Sequence, residues 1–309
     1  MKYIIKRQIS TGSFGTIYEV LSKNDNNVYA LKELTNIDTV TKQRFEREIK
    51  VLSQLDHPNI VKIIQWNIGG DPPNFYPYYV MEYLSGGSLR QHMDEKFDSD
   101  DEKYYFDVKW TINRIILPVC NALAQAHSSN IYHRDLKPSN IMFTDATKSA
   151  IKITDWGLVK VEDLSSTGND ENNSSSSSSS SAAVNIDRKS LELTAVVSEG
   201  NIGGTPDYCS PEQWFASVND NDRLIDGRTD IFSLGIIFYE MLTRRRPPPY
   251  DPNNPIMSRP PVDPPSKYNP LISPRLDQCI LKMVNLKPEN RQQSIWDLIS
   301  EIETIPDNY

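Results

Sequence analysis

The stretch that most constrains this chain is "YHRDLKPSNIM", residues 132–142. It places a carboxylate (Asp135), an ammonium (Lys137) and a carboxamide (Asn140) in one loop, after a helical run and before a pair of short strand runs. That set suits the transfer of a group between two oxygens. The acid orients a hydroxyl and accepts its proton, the lysine balances charge, and the amide binds a metal. Chance does not assemble the whole string at this spacing.

A second stretch, "KITDWGL" at 152–158, runs from a short strand around Ile151 and Ile153 into an acid, a large aromatic and a glycine. Acid followed by glycine is read either as a plain turn or as a carboxylate held at a strand end to bind a metal. The residues alone leave both readings open.

Strand-like runs open the chain: "KYIIKRQI", "TIYEVLS" and "VYALKEL", the last two separated by the polar turn Asn24 to Asn27. They predict a β-meander. The period then changes. Phe45, Ile49 and Leu52 fall at i, i+4 and i+7, which predicts an amphipathic helix over 39–55. Strand runs "IVKIIQW" and "YYVMEYL" follow, separated by "GGDPPNFYP". After Gly86 and Gly87 the character is helical, from Trp110 to His127 and from Asp230 to Leu242, and a last helix carries Ile295, Leu298, Ile299 and Ile302 on one face. A small β-rich unit thus precedes a larger helical one, and the cleft between them is the default ligand site. Residues 165–190 hold an unbroken serine run with almost no apolar side chains, so they are expected to be disordered.

Within that frame, "STGSFG" at 10–15 is a turn between strands in which Gly12 and Gly15 let backbone N–H groups approach a phosphate; a glycine-bearing hairpin is the alternative. Lys32 shares a strand face with Ala30 and points to the cleft, against the alternative of a solvated edge lysine. Glu48 lies one residue before the core position Ile49, where a surface acid is the alternative.

Composition closes off other classes. The net charge of -8 over 309 residues argues against a nucleic-acid partner. Cys120, Cys209 and Cys279 are odd in number and lack metal-ligand spacing, as expected of reduced thiols in a cytoplasmic protein. The N-terminus shows no secretory h-region, and the most apolar run, Ile231 to Leu242, is too short and polar to span a bilayer. It reads as a buried helix.

Taken in order, "STGSFG", Ala30 with Lys32, Glu48, "VMEYL" (80–84), "HRDLKPSN" (133–140), "DWG" (155–157), "GTPDYCSPE" (204–212), "DIFSLG" (230–235) and Arg291 in "KPENR" resemble the eukaryotic-type (Hanks-type) serine/threonine protein kinase family, over essentially the whole chain. The resemblance implies an α+β, bilobal protein-kinase fold: one domain over 1–309, with an N-lobe over 1–83, a C-lobe over 84–309, and the chain ending just after the final helix of the fold. It implies use of ATP and Mg²⁺, serine or threonine acceptors in protein substrates, and an intracellular setting. Ile9, Gly12, Gly15, Ile17, Ala30 and Met142 are then expected around the nucleotide, with Lys32 on its phosphates and paired to Glu48. The backbone of Val80 to Leu84 meets the adenine, so Met81, Glu82 and Leu84 join that site, Met81 as gatekeeper. Asp135 is the implied base with Lys137 beside it, and Asn140 and Asp155 hold the metal. Glu212 pairs with Arg291, and Asp230 anchors the catalytic loop. Lys137 and Thr205 follow the serine/threonine rather than the tyrosine branch.

Three positions depart from the family pattern: Ser10 for the first loop glycine, Trp156 for phenylalanine in a spine with Leu52 and His133, and Phe232 for tryptophan. None touches phosphate or metal. Arg134 before Asp135 implies control by activation-segment phosphorylation, and Thr194 and Ser198, upstream of Asn201, are the expected sites. The acidic run Asp94 to Glu102 is read as a solvated helix face, or alternatively as a docking surface for basic substrates. Two rival functions are a pseudokinase or ATP-binding scaffold and a small-molecule phosphotransferase. The first sits badly with Lys32, Glu48, Asp135, Asn140 and Asp155 all being present, the second with "GTP…SPE" and Arg291.

Overall fold

The computed structural model describes residues 2–12, 15–36, 38–69, 76–98, 106–157, 160–161, 206–214, 225–250 and 259–305. The insert at 165–190, together with Thr194, Ser198, Asn201 and Thr205, lies outside the described residues.

The opening alternation folds as read. Strands β1 (Tyr3–Thr11), β2 (Gly15–Ser22) and β3 (Val28–Leu34) form an antiparallel meander. The next partner of β3 is β5 (Tyr78–Glu82), and β4 (Ile63–Asn67) lies outside it, giving the order β1-β2-β3-β5-β4. The strand expected from Ile60 begins only at Ile63. Ile60 and Val61 are buried, but their backbone turns to the other lobe: Val61 N–H donates to the Ile153 carbonyl at 3.0 Å. An apolar β-branched run looks the same in either place, and the partner strand alone decides.

Helix α1 (Thr39–Gln54) begins where the Asp38 carboxylate accepts from the Thr41 N–H, a cap that satisfies an otherwise orphaned donor. Its apolar stripe is buried at Phe45, Ile49 and Leu52, as the spacing predicts. In the second lobe, α2 (Leu89–Phe97) starts on a capping box at Ser88 and Gln91 and ends before most of the acidic run, whose residues 99–102 are not described. The helix expected from Trp110 to His127 is present as α3 (Val108–Thr111), a π turn (Ile112–Ile116) and α4 (Leu117–Ser128). The π turn gives way where Pro118, lacking an N–H, enters the helix.

Helix α5 (Gly227–Thr243) is buried at every residue from Thr229 to Thr243, so it is the centre of the helical lobe. Helices α6 (Pro274–Met283) and α7 (Ile295–Glu303) pack on it, and α7 buries Ile295, Leu298, Ile299 and Ile302 as expected. No helix among the described residues is long and apolar enough to cross a membrane. The three cysteines are free thiols.

Candidate active site

Between the sheet and the helical lobe lies a cavity of about 1040 Å³. The residues expected around nucleotide, metal and acceptor line it, whereas Val80, Asp230, Glu212 and Arg291 do not. Ile9, Gly12, Gly15 and Ile17 come from β1, β2 and their turn; Ala30 and Lys32 from β3; Glu48 from α1; Met81, Glu82 and Leu84 from β5 and the segment after it. Asp135, Lys137, Asn140, Met142 and Asp155 form the opposite wall. Strand alternation explains the roof: Ala30 pairs with Met81 and Lys32 with Tyr79, so the two-residue period turns all four to one face. Gly15 is needed for close approach, because a Cβ there would sit 2.3 Å from the Glu33 carbonyl oxygen. Among the described residues, a Cβ on Gly12 would meet nothing nearer than the Gly15 carbonyl oxygen at 3.9 Å.

Lys32 donates to both carboxylate oxygens of Glu48, at 3.0 and 2.8 Å, and stands 3.5 Å from Asp155 Oδ1. Burial alone would lower the Lys32 pKa; Glu48, Tyr79 and Asp155 reverse it, so the ammonium is held well above its ordinary range. For Asp155, burial pushes the carboxyl up, but Lys32 and Lys137 outweigh it and keep the group below the usual carboxylate value. Burial pushes the Glu48 carboxyl up, with Lys32 and the Tyr79 hydroxyl opposing.

The loop that carries Asp135 is set by α5. Its Asp230 carboxylate accepts from the backbone N–H groups of His133 at 2.9 Å and Arg134 at 2.8 Å, with His127 Nε2 at 2.8 Å. That grip holds Arg134 at φ 64°, a left-handed conformation that a non-glycine residue adopts only when its surroundings impose it. Lys137 Nζ then donates to Asp135 Oδ2 at 2.7 Å, and Asn140 Nδ2 to the Asp135 carbonyl at 2.8 Å. Burial raises the Asp135 pKa above its ordinary value, with Lys137 opposing. A base poised upward in this way is suited to proton acceptance.

Asp155 sits at φ 62°, two residues after the short strand Ile151–Ile153 ends, with the following Trp156 fully buried. The Trp156 ring meets His133 edge-on at 4.7 Å, and Leu52 is buried in the hydrophobic core that also holds Trp156. The indole N–H has no partner among the described residues. Farther out, Arg291 holds Glu212, and Phe232 lies 4.7 Å beneath the Arg291 guanidinium as a cation–π partner.

Two polar contacts escaped the sequence reading. Tyr79 reaches Glu48 from β5, and Arg7 on β1 donates to the Tyr83 hydroxyl at the cavity mouth. Only the two-residue spacing of Tyr79 from Met81 hinted at the first.

The donor set fits a hard divalent cation. Asp155 offers carboxylate oxygens, and Asn140 spends its amide N–H on Asp135, which leaves its carbonyl oxygen for the cavity. No group of three or more His, Cys, Asp or Glu side chains gathers among the described residues. Asp155 and Asn140 are the oxygen donors that would hold such an ion.

Comparison with known proteins agrees with this geometry. The family model for the protein kinase domain matches residues 3–299. A probable serine/threonine-protein kinase of Clostridium acetobutylicum is 29% identical over 100% of this chain and 40% of its own length. Serine/threonine-protein kinase pkn3 of Myxococcus xanthus is 27% identical over 98% of this chain and 50% of its own. PknB of Mycolicibacterium smegmatis is 31% identical over 84% of this chain and 35% of its own. The chain thus spans half or less of the length of these relatives.

Proposed function

Since the chain belongs to the protein kinase domain family, we propose that it transfers the γ-phosphate of ATP to serine or threonine hydroxyls of proteins. The observation that carries this reading is the convergence of Asp135, Lys137, Asn140, Asp155 and the Lys32–Glu48 pair on one cavity. The apolar part of the same cavity, with Ile17, Ala30, Met81 and Met142, suits a flat adenine ring. Relatives named as serine/threonine-protein kinases support the choice of acceptor.

Phosphoryl transfer passes through a loose transition state, so the protein supplies placement and charge more than covalent chemistry. Lys32, steadied by Glu48, binds the α- and β-phosphates. Asp135 orients the acceptor hydroxyl and takes its proton, while Lys137 offsets charge on the moving phosphoryl group. Asn140 and Asp155 would hold Mg²⁺, which neutralises phosphate charge when bound. Glu212 and Arg291 brace the segment that presents the substrate.

Purified protein with radiolabelled ATP, Mg²⁺ and a generic protein substrate, beside Asp135→Ala, tests the reading. Loss of the base lowers the rate by about 10²–10⁴. Labelling no greater than that of the variant sinks the proposal: nucleotide binding without turnover indicates a pseudokinase, and ATP consumption without protein labelling a small-molecule phosphotransferase.

A further inference from the structure

Glu48 is held by a second group besides Lys32. Tyr79, on β5 and 2% exposed, donates its hydroxyl to Glu48 Oε1 at 2.8 Å. Its ring packs against Phe45 on α1 at 5.2 Å between centroids, three residues before Glu48. Lys32 Nζ lies 5.7 Å from the centre of the same ring. One tyrosine on a central strand therefore touches the helix at two points and the lysine at a third.

The chemistry of the two anchors differs. Lys32 is a flexible point charge that Glu48 must share with Asp155, 3.5 Å away, and with the phosphates of a bound nucleotide. Tyr79 has two side-chain torsions, both constrained by the packing of its buried ring, and its backbone pairs directly with Lys32 across the sheet. Phenylalanine would fill the same volume, so packing alone does not call for the hydroxyl. A buried hydroxyl demands a partner, and here that partner is the carboxylate.

We propose that Tyr79 is a positioning residue that pins α1 to the sheet and keeps Glu48 in place for Lys32 before nucleotide arrives. The proposal rests on the kinase reading for its catalytic consequence, but the pinning of α1 is a property of the nucleotide-free protein. A hydrogen bond to a charged group shifts an equilibrium by about ten- to a hundredfold. Without it, part of the nucleotide's binding free energy is spent on drawing α1 back, so apparent affinity falls by the fraction of competent protein.

Tyr79→Phe tests this. The expected result is a KM for ATP raised about tenfold, kcat at saturating ATP within about threefold of wild type, and hydrogen exchange in 45–52 faster by a similar factor without nucleotide. A non-hydrolysable ATP analogue with Mg²⁺ should restore the protection. In a Glu48→Gln background, where the charged acceptor is gone, the same substitution should add little. Unchanged KM and unchanged exchange overturn the proposal, as does a loss confined to kcat and melting temperature, which marks packing alone. If Tyr79→Phe fails to fold, Lys32→Met and Glu48→Leu decide: the first keeps the Tyr79 hydrogen bond and should keep more protection in 45–52 than the second, which loses both anchors, and equal loss in the two overturns the pinning. A wild-type protein that labels no substrate overturns the kinase reading, and the exchange measurement then still decides the role of Tyr79.

Discussion

The Arg291 guanidinium closes two hydrogen bonds on the Glu212 carboxylate, at 2.6 and 2.8 Å, with both side chains out of water. Its remaining N–H groups go to the carbonyls of Asn285, Leu286 and Arg228, and Thr229 donates to the same carboxylate. Desolvation of the pair is thus met by near-complete hydrogen bonding.

Removing one partner leaves the other charge buried and bare. Arg291→Ala should lower stability by about 3–5 kcal/mol, read as a reduced denaturant midpoint at unchanged slope. Arg291→Lys should recover only part of this, because an ammonium cannot reproduce the planar fork.

Lys137 opposes the burial that raises the Asp135 pKa. In its proposed role as base Asp135 works deprotonated, so activity should be lost as pH falls through that pKa. Taking Lys137 away lets it rise further, and Lys137→Met should move the acid limb of the kcat–pH profile to higher pH. An unmoved limb would mean that another group controls it.

The two glycines of the turn should respond unequally. Alanine at Gly15 drives a Cβ into the Glu33 carbonyl, and the strands must part. Such overpacking costs about 1–3 kcal/mol. A Cβ at Gly12 makes only an ordinary contact with the Gly15 carbonyl among the described residues, so Gly12→Ala should change the nucleotide-free melt little, within about 0.5 kcal/mol.

Trp156→Phe removes a buried N–H that has no partner among the described residues, and leaves a small void. These effects oppose each other at about 1–3 kcal/mol each, so net stability should move by about 1 kcal/mol or less. Phosphotransfer should persist; its loss would assign the indole a specific role.

Much of the site was legible because its chemistry is local. Asp135, Lys137 and Asn140 hydrogen-bond within a single loop, and their spacing already implies that they share it. Strand alternation likewise turned Ala30 and Lys32 to one face, and the helical period buried Phe45, Ile49 and Leu52. Ile60 and Val61 were not legible as a connection between lobes, since hydropathy does not name a backbone partner.

Residue types at short spacing determined the family, the cleft and the identity of the charged groups, because side-chain chemistry and backbone period travel with the chain. Tertiary structure decided how distant groups meet: Tyr79 with Glu48 across 31 positions, which the sequence reading missed, and the geometry by which Asp230 takes the His133 and Arg134 amides across 97 and 96 and Arg291 takes Glu212 across 79, pairings that the family resemblance had implied. Those contacts depend on how α1 and α5 are placed against their neighbours. That placement follows from packing and hydrogen-bond satisfaction summed over the whole core, which no local pattern encodes.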